Sequence, residues 1–130
     1  MPLTWSIDHE ARRVDVTVEG NMSAADVRDY LAQIAEAGAM PYAKLFDASE
    51  AKGVLSIDEL KGLGSMVRQF AVEGRAATGP LAIVVGHSGL QLQAAHFADS
   101  AGSNRPLQIF RNRAEAERWL RDQRNRSPQR

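Results

Sequence analysis

Pro80-Leu-Ala-Ile-Val-Val-Gly86 is a continuous apolar, β-branched run stopped by proline at one end and glycine at the other. A run without polar alternation is the pattern of a strand covered on both faces, the usual situation inside a parallel sheet. A parallel neighbour requires a crossover, most often through a helix lying on that sheet. The flanking sequence should therefore switch between helical and extended periods.

It does so in both directions. Upstream, Ser56 with Glu59 three residues later makes a capping box, and Leu55 with Leu60 a hydrophobic staple, so a helix opens there and runs through Leu63, Val67 and Phe70 toward Gly74. Lys44-Leu-Phe-Asp-Ala48 is the short strand before it, separated by a polar, glycine-containing loop. Downstream, His87-Ser88-Gly89 opens a helix with Leu90, Ala94, Phe97, Ala98 and Ala101 inward, closing at Gly102. Leu107-Gln-Ile-Phe110 is a further strand, and Asn112 with Glu115 caps a last helix whose inward residues are Ala116, Trp119 and Leu120.

The N-terminal third has a different rhythm. Leu3, Trp5 and Ile7, then Val14, Val16 and Val18, alternate with polar residues around Asp8-His9-Glu10-Ala11, which predicts an antiparallel hairpin at the sheet's margin with one wet face. Ser23 and Asp26 form another capping box, Met22 can staple onto Val27, and Val27, Tyr30, Leu31 and Ile34 share one helix face. Gly38 supplies a left-handed stop. The order is ββαβαβαβα: one mixed α/β sheet with an N-terminal antiparallel hairpin and parallel strands, covered by four helices. Residues 1–121 are expected to form a single domain, and residues 122–130 a frayed basic tail.

Composition narrows the chemistry. With 44% hydrophobic and 25% charged residues in 130, the chain is an ordinary globular domain, long enough to bury a core without staples. It has no cysteine, which removes disulfides, thiolate metal sites and cysteine nucleophiles. The first twenty residues lack the basic start and apolar core of a secretory signal, so the cytoplasm is the expected location. The net charge of zero hides an asymmetry: residues 1–104 hold 8 basic against 13 acidic side chains, and residues 105–130 hold 8 against 3. No aromatic residue interleaves the arginines of Arg121 to Arg130, which disfavours nucleic acid as a partner.

No catalytic pattern emerges, and no cofactor is expected. Gly86-His87-Ser88-Gly89 after the buried strand resembles a nucleophile elbow in part, yet Leu90 occupies a position where that strained turn needs glycine, and no histidine follows Asp99. His9, His87 and His96 lack metal-ligand spacing. Gly62-Leu63-Gly64 lies within a helix and lacks a third glycine, so it is not a dinucleotide loop. Each of those glycines costs about 1 kcal/mol relative to alanine in a helix interior, and close packing inside the fold is the expected reason. Asp47 and Gly86, at the ends of parallel strands, would flank any crevice that the sheet offers.

The element order, the capped helix after Asp47-Ala48-Ser49, Gly62-Leu63-Gly64 within it and the closing Ala116-x-x-Trp119-Leu120 resemble the STAS domains of anti-sigma-factor antagonists, and more closely the SpoIIAA-like branch grouped with STAS and Sec14-type folds. That resemblance implies a non-enzymatic interaction domain. In STAS proteins a serine at a helix start just before glycine-leucine-glycine is phosphorylated; aligning the glycines places Lys61 there, and aligning the helix start offers Ser56 as phosphoacceptor or anion site. The implied partner or ligand surface comprises Asp47, Ser49, Leu55, Ile57, Leu60, Lys61, Gly62 and Gly64, with Gly86, His87 and Ser88 at a strand-end crevice. Its occupant would be a protein partner, with a homodimer among the options. The Sec14 relation implies instead a small apolar ligand or lipid among Leu55, Ile57, Leu60, Met66, Phe70 and Phe97. A small hydrolase using Ser88 is the third reading.

Overall fold

A computed structural model describes residues 3–39, 41–52, 56–74, 79–87, 89, 91–92, 94–95 and 106–126, with backbone alone for residues 57, 67–74 and 124–126. The elements are β1 (Leu3–Asp8), β2 (Arg13–Gly20), α1 (Ala24–Glu36), β3 (Ala43–Ala51), α2 (Ile57–Gly74), β4 (Leu81–Val85), β5 (Leu107–Phe110) and α3 (Arg113–Arg126). They build one sheet in the order β1-β2-β3-β4-β5. β1 and β2 are antiparallel, and every later pairing is parallel.

The alternation read from the hairpin puts Leu3, Trp5 and Ile7 beside Val18, Val16 and Val14 on one face. The same face carries Phe46, Ala48, Leu81, Ile83 and Val85, and it is covered by Val27, Tyr30, Leu31 and Ile34 of α1 and by Leu60 and Leu63 of α2. On the opposite face Leu45, Ala82 and Val84 receive Ala116 and Leu120 of α3, with Trp119 against Phe110. All five residues of β4 are buried, as its two-sided coverage requires. α1 starts on the Ser23/Asp26 capping box and stops at Gly38, whose φ of +73° is the left-handed conformation that glycine adopts without penalty.

Two expectations change. The described residues hold three helices, not four: Gly89, Gln91, Leu92, Ala94 and Ala95 are helical, and the Gln91 amide donates to the His87 carbonyl, but Ser88, Leu90, Phe97, Ala98, Ala101 and Gly102 lie outside the described residues. The strand read as 44–48 extends to Ala51, so Asp47 is mid-strand instead of terminal. Beyond an irregularity between Thr17 and Glu19, the ladder resumes with Glu19 beside Glu50 and Gly20 beside Ala51. Pairing with β2 thereby holds Glu50 and Ala51 extended despite their modest strand preference. No described helix is long and apolar enough to cross a membrane.

Candidate functional site

The carboxyl ends of β3, β4 and β5 meet the start of α3, and the register there is tight. Ala48 stands beside Val85, and a Cβ added to Gly86 would fall 2.4 Å from the Ser49 carbonyl oxygen. Gly86 is thus required by the close approach of two strand ends. Arg111, just past β5, donates from its guanidinium to the Gly86 carbonyl at 3.3 Å. Asp47, Ser49, Gly86 and His87, separated by up to forty residues in sequence, are thereby gathered on one rim, where Ser49, Gly86 and His87 are exposed.

Asp47 is the hub of that rim. Its Oδ1 accepts from the Ser49 hydroxyl at 2.6 Å and the Ser49 amide at 3.0 Å, while Oδ2 accepts from Arg113 at 3.0 Å. Arg113 also donates to Glu117 at 3.0 Å, and Glu117 lies 3.6 Å from Arg13, which pairs with Asp15 at 2.8 Å. Burial pushes the Asp47 carboxyl up, but the hydrogen bonds from Ser49 and the bond and charge of Arg113 together outweigh it and hold the group below the ordinary 3.8. Glu117 is held below 4.5, first by its bond from Arg113 and then by the nearby charge of Arg13 against partial desolvation. These bonds fix α3 to β2 and β3, and they leave Asp47 engaged as an ionised acceptor.

The start of α2 makes a second, separate patch. The Ser56 hydroxyl accepts from the Glu59 amide at 3.1 Å, and the Glu59 carboxylate accepts from the Ser56 amide at 2.9 Å, closing the capping box. Ser56, Lys61 and Gly62 are exposed. A Cβ on Gly62 would meet nothing within 4 Å, so internal packing does not account for this glycine. Gly64 and Leu60 are buried instead, which removes both from any partner surface and assigns them to the core. Leu55 and Ser88 lie outside the described residues, as does the side chain of Ile57.

Arg113, Arg111, Glu117 and Arg13 escaped the reading of the sequence. A faint signal existed: Arg113 sits at a helix N-terminus, where the backbone dipole disfavours a cation unless a carboxylate compensates. At the opposite end of the parallel strands, Tyr42 is buried with its hydroxyl 2.7 Å from His9 Nδ1 and the Arg12 guanidinium 5.0 Å from its ring centre. Buried Lys44 donates to the Tyr42 carbonyl at 2.9 Å. Among the described residues no group of histidine, aspartate and glutamate is gathered so as to hold a metal ion.

A hairpin-led mixed sheet with two helices on one face, a capped α2 and a third helix locked across the other face is the STAS class of α/β domain. The chain belongs to the SpoIIAA-like family, whose model matches residues 13–121. This is a STAS-type regulatory or interaction domain, of a family that is generally non-enzymatic. No curated protein and no solved structure matches the chain.

Proposed function

We propose that this domain works by binding a protein partner on the exposed start of α2, around Ser56, Lys61 and Gly62. The observation that carries this reading is Gly62: it lies in a helix interior, it is exposed, and no atom stands where its side chain would be. A glycine there costs about 1 kcal/mol of helix stability with no internal contact to require it. Bare backbone on an exposed turn suits the close approach of another chain. Phosphate on Ser56 would sit at the positive end of α2, where an anion gains about 0.3–1 kcal/mol, but beside Asp58 and Glu59, so it would alter the charge of this patch without unfolding it.

Capture from native lysate on wild-type and Gly62→Arg protein tests the surface. A specific polypeptide retained by the wild type and lost by the variant, with circular dichroism unchanged, supports it; identical retention by both sinks it. Ser56→Asp keeps a cap-competent oxygen and so separates charge from folding.

A carrier of a small apolar molecule is the second reading. It is favoured by Phe46, which remains half-buried on β3 at the middle of the sheet, with Met66, Leu107 and Ile109 also half-buried against the same core. Native mass spectrometry separates the two: a reproducible adduct displaced by Phe46→Ala supports the carrier, and bare protein excludes it.

A further inference from the structure

The two margins of the sheet are unequal. β5 has four residues and is followed at once by Arg111, whereas β1 has six, Leu3 to Asp8, and its five-residue stretch Leu3-Thr-Trp-Ser-Ile7 contains no lysine, proline, charge or register shift. Those are the devices by which exposed margins ordinarily refuse another strand. Among the described residues β1 pairs with β2 alone, so its outer row of backbone groups faces away from the sheet. Trp5 and Ile7 are only half-buried there, although both lie on the apolar face and Trp5 packs edge-on against Tyr30, 5.3 Å between ring centres.

We propose that β1 pairs antiparallel with β1 of a second copy of this chain, joining two five-stranded sheets into one. The sequence of β1 is self-complementary for this arrangement. With the two-fold axis at Trp5, Leu3 lies opposite Ile7 of the second copy and Thr4 opposite its Ser6. Every apolar residue then stays on the helix-covered face, and Thr4 and Ser6 stay on the exposed one. No charge opposes a charge anywhere in Leu3–Ile7, and the molecule's net charge of zero adds no long-range repulsion between copies. Two tryptophans meet at the axis, where their remaining exposed surface is removed from water. This second copy occupies the β1 margin and leaves the α2 patch open, so the inference stands or falls independently of the partner proposed there.

The test is a charge swap on the exposed face. In Thr4→Lys/Ser6→Lys, the lysine introduced at 6 faces Asp15 within its own hairpin, which favours the monomer fold, while the two introduced lysines oppose one another across the seam. In Thr4→Glu/Ser6→Lys the same positions attract. Sedimentation velocity over a concentration series should show a reversible dimer for the wild type, association weakened about ten-fold or more in the double-lysine variant, and recovery in the glutamate–lysine variant. Hydrogen exchange of the Leu3–Ile7 amides should slow as protein concentration rises. A wild type that stays monomeric at millimolar concentration overturns the proposal, and so does a dimer indifferent to both swaps, which would place the contact elsewhere.

Discussion

Two glycines show how differently one residue type can be used. Gly86 stands where a methyl group would collide with the Ser49 carbonyl, a backbone atom that cannot move without separating β3 from β4. Gly62 stands in open space on α2. Alanine at the two positions should therefore act in opposite directions. Gly62→Ala should raise stability by about 1 kcal/mol through helix preference alone, and Gly86→Ala should lower it by about 1–3 kcal/mol through overpacking, both read from chemical denaturation midpoints. A destabilised Gly62→Ala would mean that its neighbourhood is filled, and the reading of that patch as available to a partner would fail with it.

At the scale of elements, the start of each helix depends on a few adjacent atoms. Ser56 and Glu59 close their box over three residues, so removing the hydroxyl in Ser56→Ala should cost about 1 kcal/mol, and Ser56→Asp, which keeps an acceptor for the Glu59 amide, should cost little. Thermal melts of the two variants check this; equal losses would mean that the hydroxyl contributes nothing as a cap. The same locality explains what was legible beforehand. Ser23 with Asp26, Ser56 with Glu59 and Asn112 with Glu115 announced three helices because capping needs only neighbours in sequence. The run Leu81–Val85 announced an interior strand because coverage on two faces demands apolar residues at every position. The length of β3 was not legible, since Glu50 and Ala51 are held extended by β2 and not by their own preferences. Nor was the Asp47 rim, whose Arg113 partner is 66 residues away and reaches it only once the register of three strands and the seat of α3 are set.

For the molecule as a whole, the consequence of that rim is a coupling between α3 and the sheet that depends on ionised carboxylates. α3 rests on a small core, Ala116 and Leu120 against Leu45, Ala82 and Val84 with Trp119 against Phe110, and the bond from Arg113 to Asp47 and the pairing of Glu117 with Arg13 add charged ties between it and the sheet. Asp47 and Glu117 both titrate lower when folded than their ordinary values of 3.8 and 4.5. A group depressed in this way binds its proton more readily in the unfolded chain; its contribution is complete above the ordinary value and disappears as pH falls through the folded one. Asp47→Asn at pH 7 should therefore cost about 1–2 kcal/mol, the scale of a charged hydrogen bond tempered by the exposure of Arg113. The gap between wild type and variant should stay constant down to about pH 5 and then narrow toward pH 3, because acid removes from the wild type what the substitution has already removed. Denaturation curves of both proteins across that range measure the gap directly, and α3 amides should lose exchange protection in the variant before those of β4. A gap that stays the same at pH 3 would show that the charge on Asp47 contributes nothing to holding α3.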